Sequence, residues 1–504
     1  MPVSLPPVLP PQQAEVRQVD VDAAALGVVG YQGYRVHVRG PAALKGLPLR
    51  RLVADASSLS DAIRRLGFAA YAAGYPAARA LYAAHGQDVH VLLVLGHVSR
   101  VEGDPRLAAF FDDAVGERPL RVTTLAPARL LADPHADRLA LKTVPRLVDD
   151  GDGSTLLLDS QPGPGVGALR AEAGNAGIRF VGEYFAGIGA TLADRWGDEF
   201  VVAARRSPPR WTEAGAAYED QSLRAARATP LGALGLSALR VSFRRRIGGI
   251  DTDNRLTQYG ASWWHPLQAD LSRHVILLVA ADHTDRRGEV EPADAKFFAE
   301  RYASAHVALA YASSAYPARD VRLELESSFA VRRGFGDRDP ALSAADLSYT
   351  LAQPALGVAL GLPGNIRVRL ESSAMLSRDH VPEQQQWVLG GAPTLAAWLP
   401  GVAAGDSGYG ARLELRRVQA QPRYTLTPRL FVEHGRARLR TATIEQPSGA
   451  VTLTDAGAGL EFAVGTAVKA GVACATPLAT AGIDDAAANA ARVRWLFSLQ
   501  LTLD

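Results

Sequence analysis

The sequence predicts a mainly β protein, with a short α+β part followed by a closed antiparallel β-barrel of about 16 strands that crosses a membrane. From about Gly163 onward, apolar and polar residues alternate with a period of two, as in strands with one apolar face. Residues 164–504 number 341, enough for about 16 strands of ~10 residues with their connections. No stretch approaches the ~20 consecutive apolar residues of a membrane helix.

The alternation is clearest at the C-terminus, where every second residue is apolar: Val493, Trp495, Phe497, Leu499, Leu501 and Leu503. The residues between them are mostly polar. A two-sheet sandwich would also alternate, but a soluble sandwich of this length would be unusually large. The barrel prediction places the aliphatic residues against lipid and the Arg/Glu rows in a wet lumen. Interfacial positions are expected for four tryptophans: Trp263, Trp264, Trp398 and Trp495.

The first third of the chain has a different pattern. Residues 1–30 form a proline-rich segment without the basic and apolar regions of a signal peptide, so the numbering is expected to begin at a processed start. Two α+β units are then predicted, over residues 31–95 and 96–162. The pattern by itself fits any two small α+β domains.

Both units follow the order strand, helix region, strand, strand. The first is predicted from a strand at Tyr34–Arg39, a helix with Leu59, Ile63, Leu66 and Ala70 on one face, and strands at Arg79–Ala84 and Val89–Leu95. The second is predicted from a strand at Val98–Val101, a helix marked by Leu107, Phe110, Phe111 and Val115, another at Leu125–Ala132, and strands at Arg138–Thr143 and Ser154–Leu158.

Composition excludes several classes of protein. The 54 basic and 52 acidic residues give a net charge of +2, whereas a nucleic-acid-binding protein normally carries a basic face or tail. The single cysteine, Cys474, precludes an intrachain disulfide and Cys-rich metal sites. Two oxygen-rich runs, Asp149–Gly153 and Asp251–Asn254, lack the closing Glu of a calcium loop and are predicted to be turns. We expect no enzyme activity, no catalytic residue, no cofactor and no metal.

The stretch Gln385–Leu415 is the most distinctive part of the chain. It contains the pair Gly390-Gly391, then Thr394-Leu395-Ala396-Ala397-Trp398, then Gly405-Asp406-Ser407-Gly408 before an alternating strand. Gly-Asp-Ser-Gly is also the nucleophile segment of trypsin-like proteases, but such a site needs a His base and an Asp partner. No histidine lies in a recognisable protease context, so this segment is predicted to be a loop-to-strand turn.

This stretch resembles the long inward-folding loop of the two-partner secretion (TpsB-type) transporters, the haemolysin and filamentous-haemagglutinin exporters of Gram-negative outer membranes. Asn175-Ala-Gly177 and Ala456–Leu460 resemble the opening and closing strands of the same family. The resemblance covers nearly the whole chain. It implies two N-terminal periplasmic α+β POTRA domains (31–95 and 96–162) and a 16-stranded antiparallel transmembrane β-barrel (163–504), with a loop at about 390–408 folded inward.

One part of the loop departs from the family. Relatives usually carry Ser-Val-Arg-Gly-Tyr where this chain has Thr394–Trp398. Their arginine is thought to reach an acid in an inner-wall strand, and the matching segment here is Phe431-Val432-Glu433. The resemblance therefore places Glu433 opposite Ala396, with Arg429 and other lumen arginines as candidates to replace the missing cation. We hypothesise that packing of Leu395, Trp398 and Leu399 holds this loop, less tightly than in typical relatives.

The resemblance implies export of a large secreted partner protein across the bacterial outer membrane, through a barrel surrounded by lipid and expected to be monomeric. The POTRA domains would bind the unfolded cargo, partly by strand addition to a sheet edge. Two alternatives stay open. One is a factor that inserts other barrels into the membrane, and the other is a passive pore that has lost transport.

Overall fold

A computed structural model describes the chain except residues 1–4, 20–22, 152, 164–166, 178–181, 208–216, 248–249, 291–294, 392–393, 443–446 and 504. The chain divides into two compact units. One comprises residues 1–164 with two short stretches, 228–232 and 266–274, and the other comprises the remaining residues. None of the described helices is long and apolar enough to cross a membrane.

The first part of the chain forms a five-stranded sheet covered by helices. Its elements are β1 (Gln12–Gln13), α1 (Val16–Val19), β2 (Ala25–Tyr31), β3 (Tyr34–Arg39), α2 (Leu49–Ala54), α3 (Leu59–Ala72), β4 (Ala78–His85) and β5 (Asp88–Leu95). The strand order is β1-β4-β5-β3-β2. Helix α3 starts at Ser58, whose Oγ accepts the N–H of Asp61 at 3.1 Å. Its apolar face, with Ile63, Leu66 and Ala70, belongs to the same core as residues of β3 and β5.

The sequence predicted β3, α3, β4 and β5 correctly, but it missed α2 and assigned the region of β1, α1 and β2 to a separate proline-rich segment. Strand β2 lacks a period-two pattern because two glycines interrupt it, and its register with β3 shifts between Ala25 and Gly27. Such a bulge places an extra residue on one strand and removes the alternation that sequence analysis depends on.

A three-stranded sheet in the order β6-β8-β7 follows. Its elements are β6 (Val98–Glu102), α4 (Pro105–Ala108), a 3₁₀ helix (Ala109–Ala114), α5 (Val122–Arg138), β7 (Leu141–Asp149) and β8 (Ser154–Pro162). The prediction of one helix through Val115 was wrong, since α4 passes into the 3₁₀ helix and Val115 forms a bridge with Val98. The strand predicted from Arg138 begins at Leu141, because α5 is six residues longer than expected at its C-terminal end, where it reaches Arg138.

A closed antiparallel barrel of 16 strands makes up the rest of the described chain. The strands are β9 (Ala168–Gly174), β10 (Phe185–Ala193), β11 (Glu199–Ser207), β12 (Ala217–Thr229), β13 (Gly232–Ile247), β14 (Ile250–Ala269), β15 (Arg273–Val290), β16 (Ala295–Ala318), β17 (Val321–Phe335), β18 (Thr350–Leu362), β19 (Ile366–Ser377), β22 (Ser407–Arg417, continued by β23, Gln419–Ala420), β24 (Thr425–Leu439), β25 (Gly449–Val464), β26 (Val468–Ala481) and β27 (Trp495–Leu503). Two short strands, β20 (Trp387–Leu389) and β21 (Ala403–Gly405), and one helix, α6 (Asp485–Ala490), lie in the connections.

The barrel closes where β27 pairs with β9. The buried Asn175, just after β9, supports this seam with its side-chain amide. Its Oδ1 accepts the N–H of Phe497 at 2.7 Å, and its Nδ2 donates to the carbonyl of Trp495 at 2.7 Å. Closure excludes the two-sheet sandwich and confirms the predicted fold class.

The predicted alternation is present along β27. Trp495 is 61% exposed on the outer face, while Leu496 is buried. Val493 was assigned wrongly to the outer face, because the strand begins only at Trp495 and Val493 is buried beforehand. Trp398 is likewise buried and not interfacial.

The tryptophan pair of β14 lies on both faces of the sheet. Trp263 shares the outward side of the strand with the exposed Tyr259, whereas Trp264 is one residue further on and therefore faces inward. The segment Asp251–Asn254 was predicted to be a turn, but it belongs to β14 because its pairing with β13 continues to Ile250.

Arginine and glutamate side chains pair along the inner face between β17 and β19. Arg367 donates to Glu324, and Arg369 donates to Glu326 at 3.2 Å. Strand β18 lies between them, and its Gly357 leaves room beside the side chain of Glu326. The predicted rows of arginine and glutamate therefore form ion pairs with one another along the inner face of the barrel.

Candidate functional site: the loop inside the barrel

The segment between β19 and β22, residues 378–406, is the candidate site. It contains a small hairpin in which Trp387 pairs with Gly405 and Leu389 with Ala403. The two glycines after β20, Gly390 and Gly391, have φ of 95° and 81°, a conformation that favours glycine. A side chain at Gly390 would also collide with the carbonyl oxygen of Leu399. The Gly-Gly pair is therefore required by the shape of the loop.

We call residues Thr394–Leu399 the loop tip. The N–H of Gly391 donates to the carbonyl of Trp398 at 2.7 Å, and the N–H of Leu395 donates to the carbonyl of Gly391 at 3.0 Å, which folds the tip back on itself. Leu395 and Trp398 are buried in one cluster with inner-wall residues of β24 and β25: Ala437, Val451 and Leu453. The tip thus packs on the inside of the barrel.

Two carboxylates of the inner wall bind the tip through its backbone. The N–H of Ala396 donates to Glu433 Oε2 at 2.6 Å, and the N–H of Ala397 donates to Asp455 Oδ2 at 2.7 Å. Glu433 and Asp455 are both 0% exposed and lie directly opposite each other on β24 and β25. The structure therefore brings Ala396 to Glu433, as the resemblance implies, but by a main-chain contact.

Arg412 supplies the positive charge beside these carboxylates. It lies opposite Glu433 across β22 and β24, and donates to Glu433 Oε1 at 2.7 Å and to Glu414 at 2.6 Å. Its guanidinium carbon is 4.5 Å from the ring centroid of Phe431. Arg429, the replacement considered from the sequence, instead pairs with Glu461 at 2.8 Å. A cation from the wall, not from the loop, faces Glu433.

The connection between β26 and β27 also contacts the tip, which sequence reasoning missed. The N–H of Leu399 donates to the carbonyl of Ala491 at 2.8 Å, and the N–H of Val493 donates to the carbonyl of Ala397 at 2.9 Å. Both contacts are main-chain hydrogen bonds, so no residue type in the sequence marks them.

The Gly-Asp-x-Gly motif ends the loop where it joins β22. Asp406 is 0% exposed and accepts hydrogen bonds from Val381 N at 3.0 Å and Arg440 N at 2.8 Å, and it contacts His380 Nδ1 at 2.9 Å. A side chain at Gly405 would collide with the backbone of Arg438. The motif therefore ties the two ends of the loop to the wall.

The geometry does not reproduce a protease triad. The Ser407 hydroxyl donates to the carbonyl of Ser377 at 2.9 Å, and Asp406 contacts His380 directly. Gly408, the last residue of the motif, lies against the ring of Trp387. The loop-to-strand turn predicted from the sequence is present.

The first half of the loop contacts the opposite part of the wall, which sequence reasoning also missed. Glu383 pairs at 2.6 Å with Arg286 of β15, whose side chain is buried. Gln385 reaches the hydroxyl of Tyr302 in β16 at 3.4 Å. In the barrel, β15 and β16 are the seventh and eighth strands and β24 and β25 the thirteenth and fourteenth. The loop therefore spans the lumen.

The predicted site residues separate into two groups. In the first group, Ala396 donates to Glu433 and shares a core with Phe431. Ala397 donates instead to Asp455, and Leu395 and Trp398 pack in the core around Ala437. Thr394 faces Gly410 of β22 and its hydroxyl lies 3.5 Å from the carbonyl of Gly391, not at the carboxylates. The second group, Gly405, Asp406 and Gly408, lies at the junction with β22 and not beside Glu433.

The oxygen-rich run before β8 is a turn, as predicted. Asp149 pairs with Arg79 at 2.5 Å, and Asp150 contacts Ser99 and Thr155. Asp152 lies outside the described residues. In the part of the chain that the structure describes, no group of three or more His, Cys, Asp or Glu side chains is placed to hold a metal ion.

The comparison with solved structures returns similar folds. CdiB from Escherichia coli is 15% identical, with 97% of this chain and 95% of that chain covered and a TM-score of 0.70. CdiB from Acinetobacter baumannii is 12% identical, with 99% and 95% covered and a TM-score of 0.63. BamA from Haemophilus ducreyi lacking POTRA domains 1–3 is 11% identical, with 94% and 100% covered and a TM-score of 0.52.

No protein-family model and no curated protein matches the sequence. The similarity to solved structures is therefore a similarity of backbone fold and not of sequence. A closed even-numbered barrel with an apolar outer surface is the architecture of bacterial outer-membrane proteins. The resemblance to the two-partner secretion transporters is confirmed at the level of the fold, and this chain has the fold of CdiB, in which N-terminal α+β domains precede a closed 16-stranded antiparallel barrel.

Proposed function

We propose that this protein is an outer-membrane transporter that exports a large partner protein through its barrel. The observation that carries the proposal is the loop that crosses the lumen, with one part bound at β15 and β16 and its tip at β24 and β25. Hydrogen bonds and apolar packing hold the tip, so it can leave the wall without breaking a covalent bond. An exporter needs such a removable obstruction.

The N-terminal sheets support a role in binding cargo. Strand β2 is an edge of the five-stranded sheet, and β6 and β7 are the edges of the three-stranded sheet. An extended segment of an unfolded cargo can add to an edge strand through main-chain hydrogen bonds. We expect the barrel to act as a monomer embedded in outer-membrane lipid. Folding of the cargo outside would prevent its return.

A disulfide between loop and wall tests the proposal. A Cβ at Gly410 would lie 3.8 Å from Cγ2 of Thr394, so the two side chains are neighbours and cysteines at these positions can be joined after a small adjustment. The variant Thr394→Cys/Gly410→Cys, with Cys474→Ala to remove the native thiol, would therefore lock the tip. In the native bacterium lacking its own copy, we expect one large protein to disappear from the medium under oxidising conditions and to return with reductant. Mass spectrometry of the medium measures this, and each single-Cys variant is a matched control.

An unchanged set of secreted proteins in the deletion strain would contradict export. A passive pore would then be the remaining function, unless other barrels are affected. The fold likeness to BamA favours a second function, the insertion of other barrels. In that case the deletion lowers the amounts of other outer-membrane barrels, while no single large protein is lost from the medium. The same strains therefore separate the three functions.

A further inference from the structure

The two inner-wall carboxylates that hold the tip form a pocket with a defined occupant. Glu433 and Asp455 are fully buried, and each accepts one N–H from consecutive residues of the tip, Ala396 and Ala397. The two carboxyl groups lie within hydrogen-bond reach of each other. Their remaining oxygens, Glu433 Oε2 and Asp455 Oδ2, point at the tip and accept its N–H groups.

Recognition in this pocket depends on the main chain of the occupant. Every residue except proline carries the N–H group that the carboxylates accept, and the alanine side chains offer no polar group. Size is the remaining requirement. Ala396 is 3% exposed and packs with Leu399, Phe431 and Val493, so a large side chain at that position would not fit.

Departure of the tip would leave the pocket in an unfavourable state. Two neighbouring carboxylates would face the lumen with Arg412 as their adjacent cation, and Arg412 is shared with Glu414. Carboxylates in a partly dry site need hydrogen-bond donors. Another polypeptide with two successive small residues can supply the same donors, and replacing the tip then costs less than emptying the pocket.

We propose that Glu433 and Asp455 form a binding site for the backbone of the exported chain, and that the loop tip occupies this site at rest in the manner of that chain. The ligand class is an unfolded segment with two consecutive small residues other than proline, followed by an apolar side chain that takes the place of Trp398. Cargo entering the lumen competes with the tip for the carboxylates. The part of this inference that concerns cargo rests on the proposed function.

A peptide with the sequence of the tip is the probe: acetyl-Thr-Leu-Ala-Ala-Trp-Leu-amide, added to the full-length protein in planar lipid bilayers. We expect it to raise the open probability of the channel about tenfold by displacing the tip. The control is the same peptide with N-methyl groups on both alanines, which lacks the two donors and should leave the open probability unchanged. Equal effects of the two peptides, or no effect of either, would overturn the site.

A second measurement locates the bound peptide. With a photoreactive benzoylphenylalanine in place of its tryptophan, the peptide should cross-link to β24 or β25, and the yield should fall about tenfold in Glu433→Ala/Asp455→Ala, which lacks both acceptors. Heat-modifiable gel mobility of this variant checks that it is folded. Cross-links elsewhere, or an equal yield in the variant, contradict the inference.

The outcomes also separate this inference from the proposed function. Peptide-driven opening in a protein whose deletion removes nothing from the medium would leave the site intact and overturn export. Normal export by a protein that ignores the peptide would overturn the site alone.

Discussion

The tip of the lumen loop and its base, where the loop joins the barrel strands, are held by different kinds of contact. The tip, Thr394–Leu399, is held by main-chain N–H groups on Glu433 and Asp455, by main-chain bonds to residues 491–493, and by packing of its apolar side chains. We call residues 380–387 and 405–407 the loop base. Specific side chains hold the base, above all Asp406 with His380 and Arg286 with Glu383.

This difference indicates which part of the loop moves. The contacts of the base need particular side chains in particular places, and another polypeptide cannot substitute for them. The polar contacts of the tip need only an N–H group, which any residue but proline offers. We therefore expect the tip to exchange with a passing chain while the base stays attached. Four changes test this contrast, and they are given from the largest expected effect to the smallest.

The largest effect is expected for Asp406→Ala. Asp406 is fully buried, and its loss leaves His380 and the N–H groups of Val381 and Arg440 without their acceptor. Removing one member of such a buried charged cluster costs about 3 kcal/mol, roughly a 100-fold rise in the open fraction. Single-channel recording measures it. Asp406→Asn keeps an acceptor oxygen and should open less; equal opening of the two variants would show that the base is not held through this carboxylate.

Glu433→Ala should have the next largest effect. It removes the acceptor of the Ala396 N–H, while Arg412 keeps its bond to Glu414. Leaving a buried donor unpaired costs about 2 kcal/mol, roughly a 30-fold rise in open probability. Glu433→Gln is the matched control, because its amide oxygen can still accept. A closed channel in Glu433→Ala would mean that packing alone holds the tip.

Ala396→Arg introduces the residue that the resemblance to the two-partner secretion transporters would place at this position. The Ala396 side chain is buried among Leu399, Phe431 and Val493, so an arginine overpacks this cluster at a cost of about 1.4 kcal/mol, a roughly tenfold rise in open probability. Ala396→Lys serves as a control for charge. A lower open probability than in the parent would show instead that the arginine reaches Glu433 and that the tip was held less tightly without it.

The smallest effect is a dependence on pH at the base. His380 lies in the loop, outside the strands, and its contact with Asp406 raises its pKa above 6.5, with Asp346 and Glu300 adding to the effect. A raised pKa stabilises the closed loop at pH values below 6.5, and this stabilisation is lost as the pH rises through the pKa of the bound state. Open probability should therefore increase severalfold between about pH 6 and about pH 8. In His380→Gln that increase should disappear; a pH profile equal to that of the parent would assign it to other groups.

The comparison between tip and base also shows how far sequence reasoning reaches. The resemblance predicted the glycine frame, and the structure gives its reason: Gly390 and Gly391 have a positive φ, and Gly405 has no space for a side chain. The resemblance placed Glu433 opposite Ala396, and the two residues meet. Arg412 was not singled out, because a barrel lined with arginines offers many candidates and only strand register selects one.

The sequence by itself determined the barrel and its inner and outer faces, because period-two alternation is a local property of the chain. The lumen loop, expected at about 390–408, begins earlier, directly after β19. Only the tertiary structure decided what the loop touches. Asp455 lies 58 residues from Ala397, and Arg286 lies 97 residues from Glu383. Such contacts depend on strand register around a closed ring and on main-chain donors common to nearly every residue, and neither leaves a mark in the order of the amino acids.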